Sequence, residues 1–178
     1  MNIRFSGFGG QGIVMAGYIM GCAAVLDGKN SLQTQSYGSA SRGGACKSDV
    51  IISDDEIYEL EFSRTDILVV MSQPAYAMYI KTLNKQGLLF IDPDLVKPDQ
   101  KHDRLHSIKA TETAYKKFGS KIVGNMVMLG LVTAIAEPAS KKSMQESIRQ
   151  RVPKGTEKLN LDAFEEGYRQ GAKEKGRA

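Results

Sequence analysis

Hydrophobic and polar positions switch between two periods along this chain. Asn2 to Ser6 alternates as a half-buried strand does, and Ile13 to Leu26 is apolar almost all round, the pattern of a helix buried on several sides. Between them lies Gly7-Phe8-Gly9-Gly10-Gln11-Gly12. The reading is strand, glycine-rich turn, helix. After a turn at Asp27-Gly28-Lys29-Asn30, Leu32 to Ser36 forms a short second strand, followed by a loop of small residues from Tyr37 to Gly44. Lys47 to Ser53 returns to a strand pattern, and Ser53-Asp54-Asp55-Glu56 turns into Ile57–Glu61, which predicts an antiparallel hairpin. Asp66–Met71 and Leu88–Ile91 read as buried strands around a helix from Ser72 to about Leu83, with Pro74 in its first turn. Leu105–Lys109 is a weaker strand. Thr111–Phe118 is a helix stopped by Gly119, and Ile122–Glu137 a second buried helix ended by Pro138. Two amphipathic helices follow, at about Lys141–Arg151 and Leu161–Lys175.

Short apolar strands alternating with helices predict an α/β fold: a three-layer Rossmann-like sandwich with a mainly parallel sheet, plus a β-hairpin and C-terminal helices. A length of 178 residues suits a single domain spanning 1–178, with 141–178 as a helical C-terminal extension. Gly17 and Gly21 stand one turn apart in the first helix, where each costs roughly 0.5–1 kcal/mol relative to Ala. Close packing against a neighbour is the expected compensation.

Composition narrows the class. The longest apolar runs, Ile13–Leu26 and Ile122–Ala136, fall short of the roughly 20 residues a bilayer span needs, and no basic region precedes a cleavable apolar run. A cytoplasmic protein without membrane contact is expected. The net charge of +4 arises entirely in Lys141–Ala178, where ten Lys and Arg face six Asp and Glu. Acids are interleaved with those bases and aromatics are few, so a solvated helical face is expected and a nucleic-acid surface is not. Cys22 and Cys46 lack paired spacing and read as reduced thiols.

The candidate chemistry is thin. Gly7, Gly9 and Gly12 satisfy G-x-G-x-x-G, whose glycines admit positive φ and let backbone N–H groups approach a phosphate, helped by the first turn of the following helix. A tight turn that binds nothing is the plainer alternative. A dinucleotide site also wants an acid at the end of the second strand, but Leu32-Gln33-Thr34-Gln35-Ser36 ends without one. His102 and His106 have a helical metal spacing but lie in a polar connector into a strand, and Asp92-Pro93-Asp94 reads as a turn. There is no nucleophile elbow and no cysteine cluster for zinc or iron–sulfur. No catalytic residue and no metal ligand is expected in this chain.

Two loops together are more specific than either. Gly7-Phe8-Gly9-Gly10-Gln11-Gly12, then Gln35-Ser36-Tyr37-Gly38, then Arg42-Gly43-Gly44, resemble the gamma subunit of the 2-oxoacid:ferredoxin (acceptor) oxidoreductases. The resemblance continues through Ser48–Ser53, Asp66–Val69 and Asn160–Tyr168, and is nearest to the stand-alone gamma chains of 2-oxoglutarate enzymes. Where that family often has a proline and an acid before the arginine, this chain has Ser39-Ala40-Ser41, so no role of that acid carries over.

The resemblance implies an enzyme of the EC 1.2.7 type that oxidatively decarboxylates a 2-oxoacid to its acyl-CoA. Thiamine diphosphate and iron–sulfur clusters would belong to partner subunits: alpha, beta, and a delta ferredoxin-like chain where there is one. Ferredoxin would be the acceptor of the complex. This chain would complete an interface site, and its isolated form would be inactive and self-associate. The cofactor-binding candidates are Gly7, Gly9, Gly10, Gln11, Gly12, Tyr37, Gly38, Arg42, Gly43 and Gly44, facing an anion such as coenzyme A. The rival reading is an autonomous nucleotide-binding domain, an NAD(P)-dependent reductase or a sensor.

Overall fold

The computed structural model describes residues 1–36 and 45–176. Six strands form one sheet: β1 (Asn2–Phe8), β2 (Asn30–Ser36), β3 (Ala45–Ser53), β4 (Thr65–Val70), β5 (Leu83–Ile91) and β6 (Leu105–Ser107). The helices are α1 (Ile13–Leu26), α2 (Gln73–Tyr79), α3 (Ala110–Phe118), α4 (Gly124–Ala136), α5 (Lys141–Arg151) and α6 (Glu157–Lys175). The strand order is β2-β3-β1-β4-β5-β6. β3 is antiparallel to both neighbours, and the pairs β1–β4, β4–β5 and β5–β6 are parallel. Five strands therefore point one way and β3 alone runs back. None of the described helices is long and apolar enough to cross a membrane.

The expected α/β architecture holds, with three corrections. First, the predicted hairpin between 47–53 and 57–61 does not form. β3 is already paired on both sides, Thr34↔Asp49 to β2 and Arg4↔Asp49 to β1, so it has no free edge for residues 57–61. The hairpin is β2–β3 instead. Second, the helix after Ser72 stops early. Ser72 caps α2 by accepting from the Ala75 N–H, but α2 ends at Tyr79, and after a 3₁₀ turn at Ile80–Thr82 the chain enters β5 at Leu83, five residues before the predicted strand. Thr65↔Leu83 pairing claims that residue for the sheet. Third, α6 begins at Glu157, because Asn160 Nδ2 donates to the Thr156 carbonyl and folds a polar first turn that lacks an apolar stripe.

Strand alternation sorts the core onto two faces. Ile3 and Phe5 of β1, Val50 and Ile52 of β3, and Ile67 and Val69 of β4 pack against α1 and α4. Leu68, Val70, Leu89 and Ile91 point the other way, onto Ala75 and Tyr76 of α2 and Val96 of the β5–β6 connection. The close approach expected of Gly17 and Gly21 is present: an added Cβ would lie 2.1 Å from Ser48 Oγ at Gly17 and 3.0 Å from Ser31 Oγ at Gly21.

On the second face, Arg4 and Asp49 are 4% and 2% exposed. They form a bidentate pair, Nε to Oδ1 at 2.6 Å and Nη2 to Oδ2 at 2.7 Å. Lys47 Nζ reaches the same carboxylate at 2.7 Å, and the rings of Tyr79 and Phe62 lie 5.0 and 5.2 Å from the guanidinium carbon.

The last helix packs most intimately. A Cβ on Gly130 of α4 would fall 2.1 Å from the Phe164 carbonyl, and one on Gly167 of α6 would fall 1.8 Å from the Val127 carbonyl. The two helices thus cross backbone to backbone, and only glycine permits it. Beside the crossing, Glu166 accepts from Arg169 Nη2 at 2.6 Å and from Lys117 Nζ of α3 at 2.8 Å. Burial alone would raise the Glu166 carboxyl, but hydrogen bonds from Arg169, Lys117 and Gln170 outweigh it and hold its pKa at about 2.

Gly167→Ala is expected to overpack the crossing by about 1–3 kcal/mol, read as a lowered denaturant midpoint. An unchanged midpoint would mean that the helices separate at no cost. Glu166 has a folded-state pKa below its unfolded value. Its stabilisation is therefore complete above the unfolded pKa and is lost as pH falls toward about 2. The gap in stability between wild type and Glu166→Gln should be widest near neutrality and close on acidification; a constant gap from pH 7 to pH 2.5 would refute the pairing.

Candidate functional site

The parallel strands end at one edge of the sheet, where ligand crevices of α/β folds form. β1 delivers the glycine loop there. Gly10 has φ of 90° and Gly12 has φ of 72°, values that side-chain-bearing residues rarely adopt. At Gly12 space adds a second demand, since a Cβ would meet Asn125 Nδ2 at 2.2 Å. Gly7 is constrained by contact alone: its Cβ would lie 2.5 Å from Gln11 Oε1 and 2.9 Å from Ile13 Cδ1.

Two side chains hold the loop in shape. Gln11 accepts from the Phe8 N–H at 2.6 Å and donates from Nε2 to the Met71 carbonyl at 2.8 Å, tying β1 to the end of β4. Its amide is thus engaged within the chain. Asn125, at the start of α4, donates to the Gly12 carbonyl at 3.1 Å and accepts from the Met126 N–H. By contrast, no side chain caps the α1 N-terminus, and its first turn carries no acid. Gly9 and Gly10 are exposed, and among the described residues the N–H groups of Gly10, Gly12 and Ile13 have no partner. Unpaired amides at a helix N-terminus, with the helix dipole behind them, suit an anion.

Gly7, Gly9, Gly10, Gln11 and Gly12 are therefore brought together. Tyr37, Gly38, Arg42, Gly43 and Gly44 lie outside the described residues. The residues flanking that segment are in register with the loop's own strand: Ala45 pairs with Phe8, and Lys47 pairs with both Ser36 and Ser6.

The remaining candidates are accounted for by local structure. Asp92 is fully buried and accepts from the N–H groups of Asp94 and Thr111, which is a turn and a helix start. His102 Nε2 lies 3.0 Å from Tyr76 Oη, whereas His106 Nδ1 pairs with Glu174 at 2.6 Å and its ring stacks on Phe90, so the two histidines do not converge. Tyr76, buried and donating to Asp99, has its phenol pushed up to about 12. Burial also raises the Cys46 thiol, which does not favour a nucleophile. Among the described residues no three His, Cys, Asp or Glu side chains cluster to hold a metal.

Sequence reasoning missed Asn125 and the Arg4–Asp49–Lys47 array. The signals were there: a lone Asn within an apolar helix, and a lone Arg between Ile3 and Phe5 in a buried strand. Both are polar exceptions in apolar runs, where a partner must exist.

The profile of the pyruvate ferredoxin/flavodoxin oxidoreductase family matches residues 2–170. The chain belongs to that family. A 2-oxoglutarate synthase subunit KorC of Methanocaldococcus jannaschii is 47% identical over 171 residues, covering 94% of this chain and 91% of that subunit. The gamma subunit of a keto/oxoacid ferredoxin oxidoreductase from Geobacter sulfurreducens superposes with a TM-score of 0.85 at 38% identity, covering 96% of this chain and 97% of that one. A 2-oxoglutarate:ferredoxin oxidoreductase from Magnetococcus marinus, solved with 2-oxoglutarate, coenzyme A and succinyl-CoA bound, shares the fold. There the TM-score is 0.84 at 21% identity, over 98% of this chain and 31% of the other. The family's stand-alone and longer chains thus carry one fold.

The loop geometry predicts an order of tolerance. Gly10→Ala adds only the backbone strain of positive φ, roughly 1–2 kcal/mol, because nothing lies within 4 Å of its Cβ. Gly12→Ala carries the same strain and displaces Asn125 as well, so urea unfolding should show it as the more destabilised variant. Equal midpoints would remove Asn125 from the loop's support.

Proposed function

We infer that this chain is the gamma subunit of a 2-oxoglutarate:ferredoxin oxidoreductase, an enzyme that oxidatively decarboxylates its 2-oxoacid to the acyl-CoA. The observation that carries this reading is the 47% identity to a 2-oxoglutarate synthase subunit along nearly the whole of both chains. The rival, an autonomous nucleotide-binding domain, finds no support in the relatives. It is also disfavoured by β2, which ends at Gln35-Ser36 without a ribose-binding acid.

The division of labour follows from what the chain holds. Thiamine diphosphate, which stabilises the carbanion left by decarboxylation, and the iron–sulfur clusters are assigned to alpha, beta and ferredoxin-like partner subunits. This chain contributes an anion cradle. The unpaired amides of Gly10, Gly12 and Ile13 face a phosphate or carboxylate at the subunit interface, and coenzyme A is the ligand whose phosphates fit that chemistry. Gly7, Gly9 and Gln11 shape the cradle, with Gln11 acting through its bonds to Phe8 and Met71. Arg42, three residues before Ala45, supplies the charge and a forked donor, flanked by Gly43 and Gly44 and preceded by Tyr37 and Gly38.

The test compares Arg42→Lys and Arg42→Ala in the complex isolated with its partner subunits. If the guanidinium binds coenzyme A, both variants raise the Michaelis constant for coenzyme A by about tenfold or more, with subunit stoichiometry intact. A complex that dissociates while its remaining fraction keeps normal kinetics would move Arg42 from the site to the interface. Oxoacid-dependent viologen reduction by this chain alone would overturn the subunit assignment.

A further inference from the structure

Between β3 and β4 the chain passes through residues 54–64, Asp54-Asp55-Glu56-Ile57-Tyr58-Glu59-Leu60-Glu61-Phe62-Ser63-Arg64, with neither helix nor strand. Both ends are tied down. Asn30 Nδ2 donates to the Asp55 carbonyl at 3.1 Å. At the other end Phe62 packs on the Arg4 guanidinium, and Arg64 Nη1 donates to the Lys81 carbonyl at 3.0 Å. Between the ties the strap faces outward: Tyr58 is 83% exposed and Leu60 65%. Among the described residues, no main-chain hydrogen bond involves 56–63.

An isolated exposed apolar side chain needs no explanation, but two large ones on a backbone without partners do. The strap also carries five carboxylates against one base in a chain whose net charge is +4. Only Asp54 comes near a base, Lys29 at 3.9 Å, among the described residues. We propose that residues 56–62 are the surface by which this chain docks on another subunit, whose matching face is an apolar recess rimmed by lysine or arginine. The proposal rests on the multi-subunit reading above. Tyr58 and Leu60 would enter the recess, and Glu56, Glu59 and Glu61 would meet the rim.

Charge complementarity calls for a basic rim on the occupant. The basic excess of this chain lies in its last helices, where Lys141 already pairs with Glu165, Arg149 with Glu146, Lys158 with Asp162, and Arg169 with Glu166. Lys142, Arg151, Lys154 and Lys173 have no ion-pair partner among the described residues, so a second copy is the alternative occupant that the cross-links must exclude. The attraction of the strap to a foreign basic rim would be screened by salt.

The test uses the complex recovered through a tag on the full chain. A carbodiimide, which joins a carboxylate to a contacting lysine, should link Glu59 or Glu61 to a lysine of another subunit. Amide exchange at 57–62 should slow by about tenfold or more in the complex relative to the isolated chain. The Tyr58→Ser/Leu60→Ser double variant should leave the isolated chain's thermal midpoint unchanged and reduce recovery of the partner subunits about tenfold, and Glu59→Lys/Glu61→Lys should do the same at low salt. An intact, active complex whose 57–62 amides exchange as fast as in the isolated chain would overturn the proposal alone. So would cross-links running only to lysines of a second copy. If no other subunit accompanies the wild-type chain, the multi-subunit reading fails and the proposal with it.

Discussion

The bidentate pair between Arg4 and Asp49 fixes the register of β1 against β3, and with it the point from which the glycine loop departs. Both charges are buried, and a slip of one residue would turn each side chain to the opposite face, stranding an ion among Ile3, Phe5 and Val50. Removing Asp49 alone would leave the Arg4 guanidinium an uncompensated buried charge, a cost of about 3–5 kcal/mol. Lys47, the Thr82 hydroxyl and the rings of Phe62 and Tyr79 surround the pair. From this register follows the facing of Phe8 and Ala45, so the chain enters the glycine loop beside the point where the β2–β3 connection rejoins the sheet.

A second constraint sits on the far side of the core. α4 is buried along nearly its whole length because it is held between the sheet and α6, and the crossing of α4 with α6 is so close that carbonyl groups occupy the space a Cβ would need. Asn125, at the first turn of α4, supports the Gly12 carbonyl. The glycine loop thus rests on a helix that is itself fixed by a helix more than a hundred residues away from the loop in sequence. Stability of the C-terminal helices and shape of the glycine loop are parts of one packing problem.

The elements that local pattern determines were legible in the sequence. Strand alternation at β1, the all-round apolar α1 and the glycine spacing between them needed no tertiary information. The Gly17–Gly21 pair announced a close neighbour because glycine in a helix interior is otherwise a cost. What escaped was pairing. Ile57–Glu61 has the composition of a strand, yet a strand requires an edge, and β3 had already given both of its edges to β2 and β1. Arg4 and Asp49 lie 45 positions apart, so nothing local joins them. Within the candidate site, the glycine positions were readable from spacing, whereas the support from Asn125 and the inward use of Gln11 depend on contacts made only after folding. Tyr37 and Arg42, which carried the family resemblance, lie outside the described residues.

The reversal of β3 has an evolutionary consequence. In a sheet wound wholly in parallel, each strand-to-strand connection crosses a face and carries a helix whose length is set by that crossing. Here β2 and β3 are antiparallel neighbours, so Ser36 and Ala45 lie at the same edge of the sheet and joining them requires no crossing of a face. Residues can be inserted or deleted between such ends without altering sheet order, because the cost of lengthening a connection grows only slowly. Length between those two strand ends is thereby uncoupled from the glycine loop, the buried ion pair and the helix crossing.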